Sequence, residues 1–170
     1  MKKFFLRAAA LLLALVLAGC GTASPAETVP TEADKTDDNY RVFYEIFVGS
    51  FADSDGDGTG DLNGILRHLD YLNDGNLLSD TSLGVQGLWL TPIFASPSYH
   101  KYDATDYYRI DSDLGTEDDL RALLDACHAR NVKVILDLVI NHTARNHEWF
   151  QSFCQSHADA NPDDPYYDYY

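Results

Sequence analysis

The sequence is poor in basic residues and in cysteine, and each shortage excludes a class of protein. It contains 12 Lys and Arg against 27 Asp and Glu, a formal net charge of −15. Nucleic-acid binding needs clustered basic side chains, so we expect no nucleic-acid partner. The three cysteines form no CxxC pair, and no zinc site or disulfide framework is predicted. No GxGxxG follows the first predicted strand, which excludes a dinucleotide-binding motif.

The first 19 residues have the pattern of a bacterial lipoprotein signal peptide. Three basic residues precede an apolar run from 8 to 17, which is too short to span a bilayer. The segment Leu17-Ala-Gly-Cys20 resembles the lipobox, in which cleavage precedes the cysteine and its thiol is acylated. We therefore predict lipidation at Cys20 and a position at the extracellular face of the cell membrane. Residues 20–38 are small and polar and predict a flexible tether.

Hydrophobic patterning predicts three strands that alternate with two helices. The strands are expected at 42–48, 87–92 and 132–140, and the helices at 62–72 and 116–131, the second with Thr116 as its N-cap. The segment 93–115 is predicted as a long loop, and no clean helix is predicted after His142. The alternation predicts an α/β fold with a parallel sheet, either doubly wound or closed into an eight-stranded barrel.

The third predicted strand carries candidate site residues at its carboxyl end. Its apolar run is typical of a strand buried on both faces, yet it contains Asp137 and is followed by Asn141 and His142. A buried carboxylate is costly unless it is paired or hydrogen-bonded. Parallel β/α folds place their chemistry at the carboxyl ends of strands. The alternative is an aspartate that caps a turn and a histidine on a loop.

The loop after the first strand carries a calcium-binding pattern. From Asp53 to Asp61, acids occupy positions 1, 3, 5 and 9, and Gly58 occupies position 6, as in the first part of an EF-hand loop. Position 12 is Gly64 and not the bidentate glutamate of an EF-hand. We therefore predict a Ca²⁺ cage in a βα loop; the alternative is a solvated acidic turn. Its ligands would be the Thr59 carbonyl and the carboxylates of Asp53, Asp55, Asp57 and Asp61.

The loop that follows the second strand is rich in tyrosine and acidic residues. Residues 96–108 contain Tyr99, Tyr102, Tyr107 and Tyr108. Aromatic faces flanked by hydrogen-bonding groups suit sugar rings, which have an apolar face and polar edges. The alternative is a loop whose aromatic side chains pack on their own domain.

Four segments in register resemble the α-amylase family of glycoside hydrolases. They are the Asp-rich loop at 51–62, Gly87-Leu-Trp-Leu-Thr-Pro-Ile93, Tyr102-Asp-Ala-Thr-Asp-Tyr-Tyr108 and Asp137-Leu-Val-Ile-Asn-His142. The resemblance implies a (β/α)8 TIM barrel with a domain inserted after the third strand. Residues 39–150 would supply the first three β/α units, and residues 151–170 would begin the inserted domain, at which point the chain would be truncated.

The resemblance also implies retaining hydrolysis of α-glucosidic bonds in starch and maltooligosaccharides. By position, His142 would hydrogen-bond a sugar hydroxyl beside the scissile bond, Tyr102 would stack on the sugar ring, and Asp137 would order the site. Asn141 ligates calcium in many relatives, and its role here is left open. The family takes its catalytic carboxylates from later strands, so no catalytic residue is assigned within this chain and the fragment by itself is expected to be inactive.

Two other functions remain open at this stage. The protein could be an α-glucosidase or oligo-1,6-glucosidase, because those enzymes carry the same metal-binding loop. It could also be a non-catalytic glucan-binding lipoprotein, which would carry the same lipid anchor. Secretion with a lipid anchor favours digestion of a polymer outside the cell.

Overall fold

A computed structural model describes residues 41–170. The predicted signal peptide, the tether and Cys20 lie outside the described residues. The elements in chain order are β1 (Phe43–Ile46), α1 (Val48–Phe51), α2 (Leu62–Arg67), α3 (Leu69–Leu72), β2 (Gly87–Leu90), β3 (Phe94–Ala95), β4 (Asp106–Ile110), α4 (Glu117–Ala129), β5 (Lys133–Leu136) and α5 (Glu148–Ala158). None of the helices within 41–170 has the length and apolar character needed to cross a membrane.

The sheet is parallel, as the alternation of strands and helices predicts. The strand order is β1-β2-β5, and Ile46, Leu90 and Leu136 are partners across it. The residues after these three strands therefore lie at one edge of the sheet, where parallel folds place their sites. The core between the strands and α2 to α4 contains Ile46, Ile65, Leu69, Leu72, Leu88, Leu90, Leu123 and Cys127.

The second predicted helix is confirmed, with its start set by a local capping box. Thr116 accepts a hydrogen bond from the Asp119 amide, and the Asp119 carboxylate accepts one from the Thr116 amide. This exchange satisfies two amides that a helix start leaves without partners. The first predicted helix is instead divided in two at His68. The His68 amide is shared between the carbonyls of Gly64 and Ile65 at 3.3 and 3.1 Å, as in the tightened last turn of a helix, and the His68 ring lies 2.9 Å from the Gly64 carbonyl oxygen through Nδ1.

The third strand differs most from its prediction. It spans only Lys133–Leu136, and it is not buried on both faces, since Ile135 is 46% exposed and Ile140 is 87% exposed. The reason is its place in the sheet. It pairs with β2 along one side, and within residues 41–170 no further strand lies along its other side. The apolar run was therefore a poor guide to burial here.

Three shorter corrections concern the strands and loops. The first strand ends at Ile46, and Val48 begins α1. The predicted loop 93–115 contains the antiparallel pair β3–β4, in which Phe94 faces Ile110. A helix does follow His142, namely α5, because His147 caps it by accepting the Trp149 amide on Nδ1. Histidine is not among the usual N-cap residues, and the predicted boundary between 150 and 151 falls inside this helix.

Candidate substrate and metal sites

The loop 53–61 is ordered by carboxylates that accept amides of their own loop. Asp53 accepts hydrogen bonds from the amides of Asp55 and Gly56 on one oxygen and from Gly58 on the other. Asp55 accepts the Asp57 amide at 3.2 Å. Gly58 has a φ of +95°, which permits the sharp turn predicted at position 6. The loop thus wraps its amides around its acids and holds these carboxylates in place.

Three of the four predicted carboxylates come together. One oxygen each from Asp53, Asp55 and Asp61 lie within 4.8 Å of one another. Two oxygens that bind one Ca²⁺ at the usual 2.3–2.6 Å are at most about 5 Å apart, so this group fits the ion. Asp57 lies outside the group, where one of its oxygens accepts the Thr59 amide at 2.7 Å. Its role and that of the Thr59 carbonyl stay predictions.

Hydrogen bonding keeps two of these acids ionised. The amides of Gly56 and Gly58 hold the pKa of Asp53 below its ordinary value of 3.8. Burial by itself would raise the pKa of Asp61, but the amides of Ser54 and Gly64 outweigh it, and the pKa is lowered. Asp61 is also the N-cap of α2, through its bond to the Gly64 amide at 2.7 Å. A predicted metal ligand is therefore also part of the helix start.

Gly64 shows why the loop departs from an EF-hand at position 12. A Cβ at this glycine would lie 1.9 Å from the carbonyl oxygen of Ala52. No side chain fits there, so a glutamate could not supply a bidentate ligand from this position. A Ca²⁺ ion bound here would have to complete its shell with other oxygens of the loop or with water.

Tyr102 and Asp137 form the contact at the centre of the predicted substrate site. The Tyr102 hydroxyl donates a hydrogen bond of 2.7 Å to Asp137 Oδ2. This bond to the carboxylate, followed by burial, raises the pKa of Tyr102 to about 12. The Asp137 amide donates to the carbonyl of Leu90 at 3.0 Å, so this carboxylate is fixed by the sheet. The Tyr102 ring remains 36% exposed and open to a ligand.

His142 lies on exposed chain after the end of β5. The Asn141 side-chain amide donates to His142 Nδ1 at 3.1 Å, which leaves the imidazole proton on Nε2 as a free donor. His142 lines an open cavity of about 350 Å³, together with Tyr107, Asn141, Trp149 and Tyr170. A larger cavity of about 870 Å³ between the β3–β4 hairpin and α4 contains none of the predicted site residues. The smaller cavity is lined by His142 but not by Tyr102 or Asp137, so the three predicted substrate residues do not share one of these two cavities.

Tyr107 is a site residue that the sequence analysis did not single out. Its hydroxyl donates to the carbonyl of Val139 at 2.6 Å and lies 3.2 Å from that of His142. Its ring stacks on Trp149 with centroids 5.9 Å apart. Tyr107 thus holds the segment that carries His142 against the hairpin. In the sequence it is one of several tyrosines, and nothing in its spacing sets it apart.

The α-amylase catalytic domain is the family whose model matches this chain, over residues 45–170. This chain belongs to the α-amylase family. It is 50% identical over 129 residues to Alpha-amylase 3 of Dictyoglomus thermophilum, covering 76% of this chain. It is 42% identical over 130 residues to Oligo-1,6-glucosidase of Heyndrickxia coagulans, again 76% of this chain. The solved α-amylase from H. orenii matches 75% of this chain with a TM-score of 0.69 and 55% identity.

The matched region is a limited part of each of these α-amylase family proteins. The chain spans 23% of the Dictyoglomus protein, 21% of the glucosidase and 25% of the solved chain. The resemblance read from four sequence segments is confirmed by these matches.

Proposed function

We propose that residues 39–150 form the first part of a (β/α)8 barrel, and residues 151–170 the start of an inserted domain, in a retaining glycosidase that acts on α-glucans. The observation that carries this proposal is the bond between Tyr102 and Asp137 at the carboxyl edge of a parallel sheet, in a chain of the α-amylase family. Barrel enzymes build their sites at this edge. The three parallel strands and the helices that cover them would be its first three units.

The residues of this chain would bind and orient the sugar. The exposed face of Tyr102 would stack on the apolar face of a glucose ring, while Asp137 holds the phenol in place. The Nε2 proton of His142 would donate to a hydroxyl of the same sugar. Hydrogen bonds of this kind that strengthen as the ring flattens lower the barrier to cleavage. The two catalytic carboxylates, which retaining hydrolysis requires about 5 Å apart, are not assigned to any residue of this chain.

The substrate is proposed as starch or maltooligosaccharides. A relative named Alpha-amylase 3 has the higher identity, 50%, and one named Oligo-1,6-glucosidase has 42%, so cleavage of α-1,6 bonds is the second candidate. The full-length protein should be assayed on starch, maltohexaose and isomaltose, with the first product anomer read by NMR. Cleavage of starch with an α-anomer confirms the proposal. Cleavage of isomaltose alone favours the second candidate, and binding of starch without cleavage indicates a non-catalytic glucan-binding protein.

We also propose that the loop 53–61 holds Ca²⁺. Asp53, Asp55 and Asp61 would bind the ion, and Asp57 and the Thr59 carbonyl would complete its shell. A bound cation would offset the repulsion among acids held within 4.8 Å of one another and so stabilise the loop and the start of α2. The ion would act on the fold and not on the glycosidic bond.

Anchoring at the membrane through acylated Cys20 is proposed from the sequence segment Leu17-Ala-Gly-Cys20. A diacylated cysteine supplies the two chains that stable anchoring requires. Cells that express the full-length protein should incorporate labelled fatty acid into it, and a Cys20→Ser variant should not. Label that persists in the variant would refute the anchor and leave the glycosidase proposal untouched.

A further inference from the structure

Lys101, the residue before Tyr102, is a buried cation on a backbone of unusual conformation. The residue is 7% exposed, and its φ is +62°. This region of φ favours glycine, because a Cβ there crowds the neighbouring carbonyl oxygen. Backbone of this kind persists only where the surroundings hold it, and it is concentrated at functional sites.

Lys101 forms an ion pair that ties both ends of one loop to a single carboxylate. Its Nζ lies 2.9 Å from Asp111 Oδ2, and the two side chains are 9% and 8% exposed. The same oxygen accepts the Ser96 amide at 2.9 Å. Lys101 Nζ also lies 3.4 Å from Asp113 Oδ2, and the Asp113 side chain is 60% exposed. Removal of one partner from a buried pair leaves the other charge without compensation, so the pair should resist opening.

Asp111 itself is fixed by backbone hydrogen bonds. Its amide donates to the carbonyl of Ile93 at 2.9 Å, and its carbonyl accepts the Leu114 amide at 3.0 Å. Ile93 and Leu114 belong to the buried core. The loop from Ser96 to Lys101 is therefore attached to a rigid point of the fold, and Tyr102 follows directly at its end.

We propose that Lys101 is a positioning residue, whose buried ion pair with Asp111 holds the loop so that Tyr102 presents its ring to the sugar and its hydroxyl to Asp137. The inference rests on the proposed function, since it assigns Tyr102 to the substrate site. Catalysis depends on placement to within a fraction of an ångström. The left-handed backbone at Lys101, held by the ion pair with Asp111, supplies such placement for Tyr102.

The kinetic test measures the effect of Lys101→Met on kcat/KM in two backgrounds of the full-length protein, wild type and Tyr102→Ala. The variant keeps most of the aliphatic stem and removes the charge. We expect kcat/KM on maltohexaose, per folded molecule, to fall about 10-fold or more. In a Tyr102→Ala background the same change should alter kcat/KM by less than about 2-fold, because the two residues act as one unit. The matched control is Arg130→Met, which removes a cation from the ion pair with Asp70 on the helices and should leave the kinetics unchanged.

A crystal structure of full-length Lys101→Met gives a second test that requires no activity. The proposal expects the Tyr102 hydroxyl to leave Asp137, with a separation beyond about 3.5 Å. A hydroxyl still bonded to Asp137 would overturn the proposal, as would an equal kinetic loss with and without Tyr102. If the wild-type protein cleaves no α-glucoside, the proposed function fails, and the crystal structure still decides whether Lys101 places Tyr102.

Discussion

The Tyr102 hydroxyl lies 2.7 Å from Oδ2 of Asp137, although the two residues are 35 positions apart in the chain. The contact joins the β3–β4 loop to the residue that follows β5. A phenol bonded to an ionised carboxylate is stabilised in its neutral form. One residue thus offers an aromatic face to a ligand while the other fixes its orientation.

The first prediction concerns the ionisation of Tyr102. Its pKa is raised to about 12 by the bond to Asp137. Because the neutral form is favoured in the folded state, this stabilisation is fully present below pH 10, the ordinary value, and is lost as pH rises through about 12. A spectrophotometric titration of full-length wild type minus Tyr102→Phe should show one tyrosine that ionises at about pH 12. In Asp137→Asn this ionisation should move down toward pH 10; an unchanged titration would show that the bond does not control it.

The second prediction separates catalysis from stability at His142. In the full-length protein, His142→Ala should lower kcat by about 10²-fold while KM changes less, because a hydrogen bond that strengthens in the transition state is lost. Tyr102→Ala should affect both constants, since stacking serves ground and transition states alike. The control is His128→Ala, an exposed histidine in the last turn of α4. An unchanged kcat per folded molecule in His142→Ala would make His142 a structural residue.

The third prediction uses the difference between Asp55 and Asp57. Asp55 belongs to the group of three carboxylates and Asp57 does not. Ca²⁺ that binds the folded state alone should raise the melting temperature of the full-length protein, and chelator should reverse this. Asp55→Ala should abolish the shift, Asp57→Ala should reduce it less, and Asp125→Ala on the surface of α4 should leave it intact. Equal shifts in wild type and Asp55→Ala would refute the proposed site.

The fourth prediction is an acid dependence that originates at Asp61. Its pKa is lowered in the folded state from the ordinary value of 3.8. The stabilisation is therefore fully present above that value and is lost as pH falls through the lower folded value. In chelator, Asp61→Asn should be less stable at pH 7 by about 0.5 kcal/mol, because Asn caps a helix about as well as Asp but lacks the negative charge that a helix N-terminus favours. This difference should shrink in acid. Urea unfolding of both full-length proteins from pH 7 to pH 2 measures it; a difference constant with pH would assign the effect to packing.

Features decided by neighbouring residues could be predicted from the sequence. The capping box that begins α4 lies within four residues, Thr116 to Asp119. The loop 53–61 folds around its own acids through bonds that span two to five positions. The burial of Ile65, Leu69 and Leu72 follows from their helical spacing. In each case the interacting groups are close in the chain, so their order alone fixes the geometry.

Features that depend on distant partners could not be predicted in this way. The exposure of Ile135 and Ile140 depends on which strands flank β5, and an apolar run carries no such information. The capping of α5 by His147 depends on a ring packed against Tyr107 and Trp149.

The sequence by itself determined the alternation of strands and helices and the acidic loop. Its four motifs also determined that the chain belongs to the α-amylase family. Only the tertiary structure decided that Tyr102 bonds to Asp137, that Tyr107 holds the segment of His142, and that Lys101 pairs with Asp111. The physical reason is distance along the chain. Local hydrogen bonds form wherever the right residues are adjacent, whereas the contacts of Tyr102 and Tyr107 exist only after parallel pairing brings the end of β5 beside the β3–β4 segment. The Lys101–Asp111 pair forms within that segment, where β3 and β4 pair antiparallel.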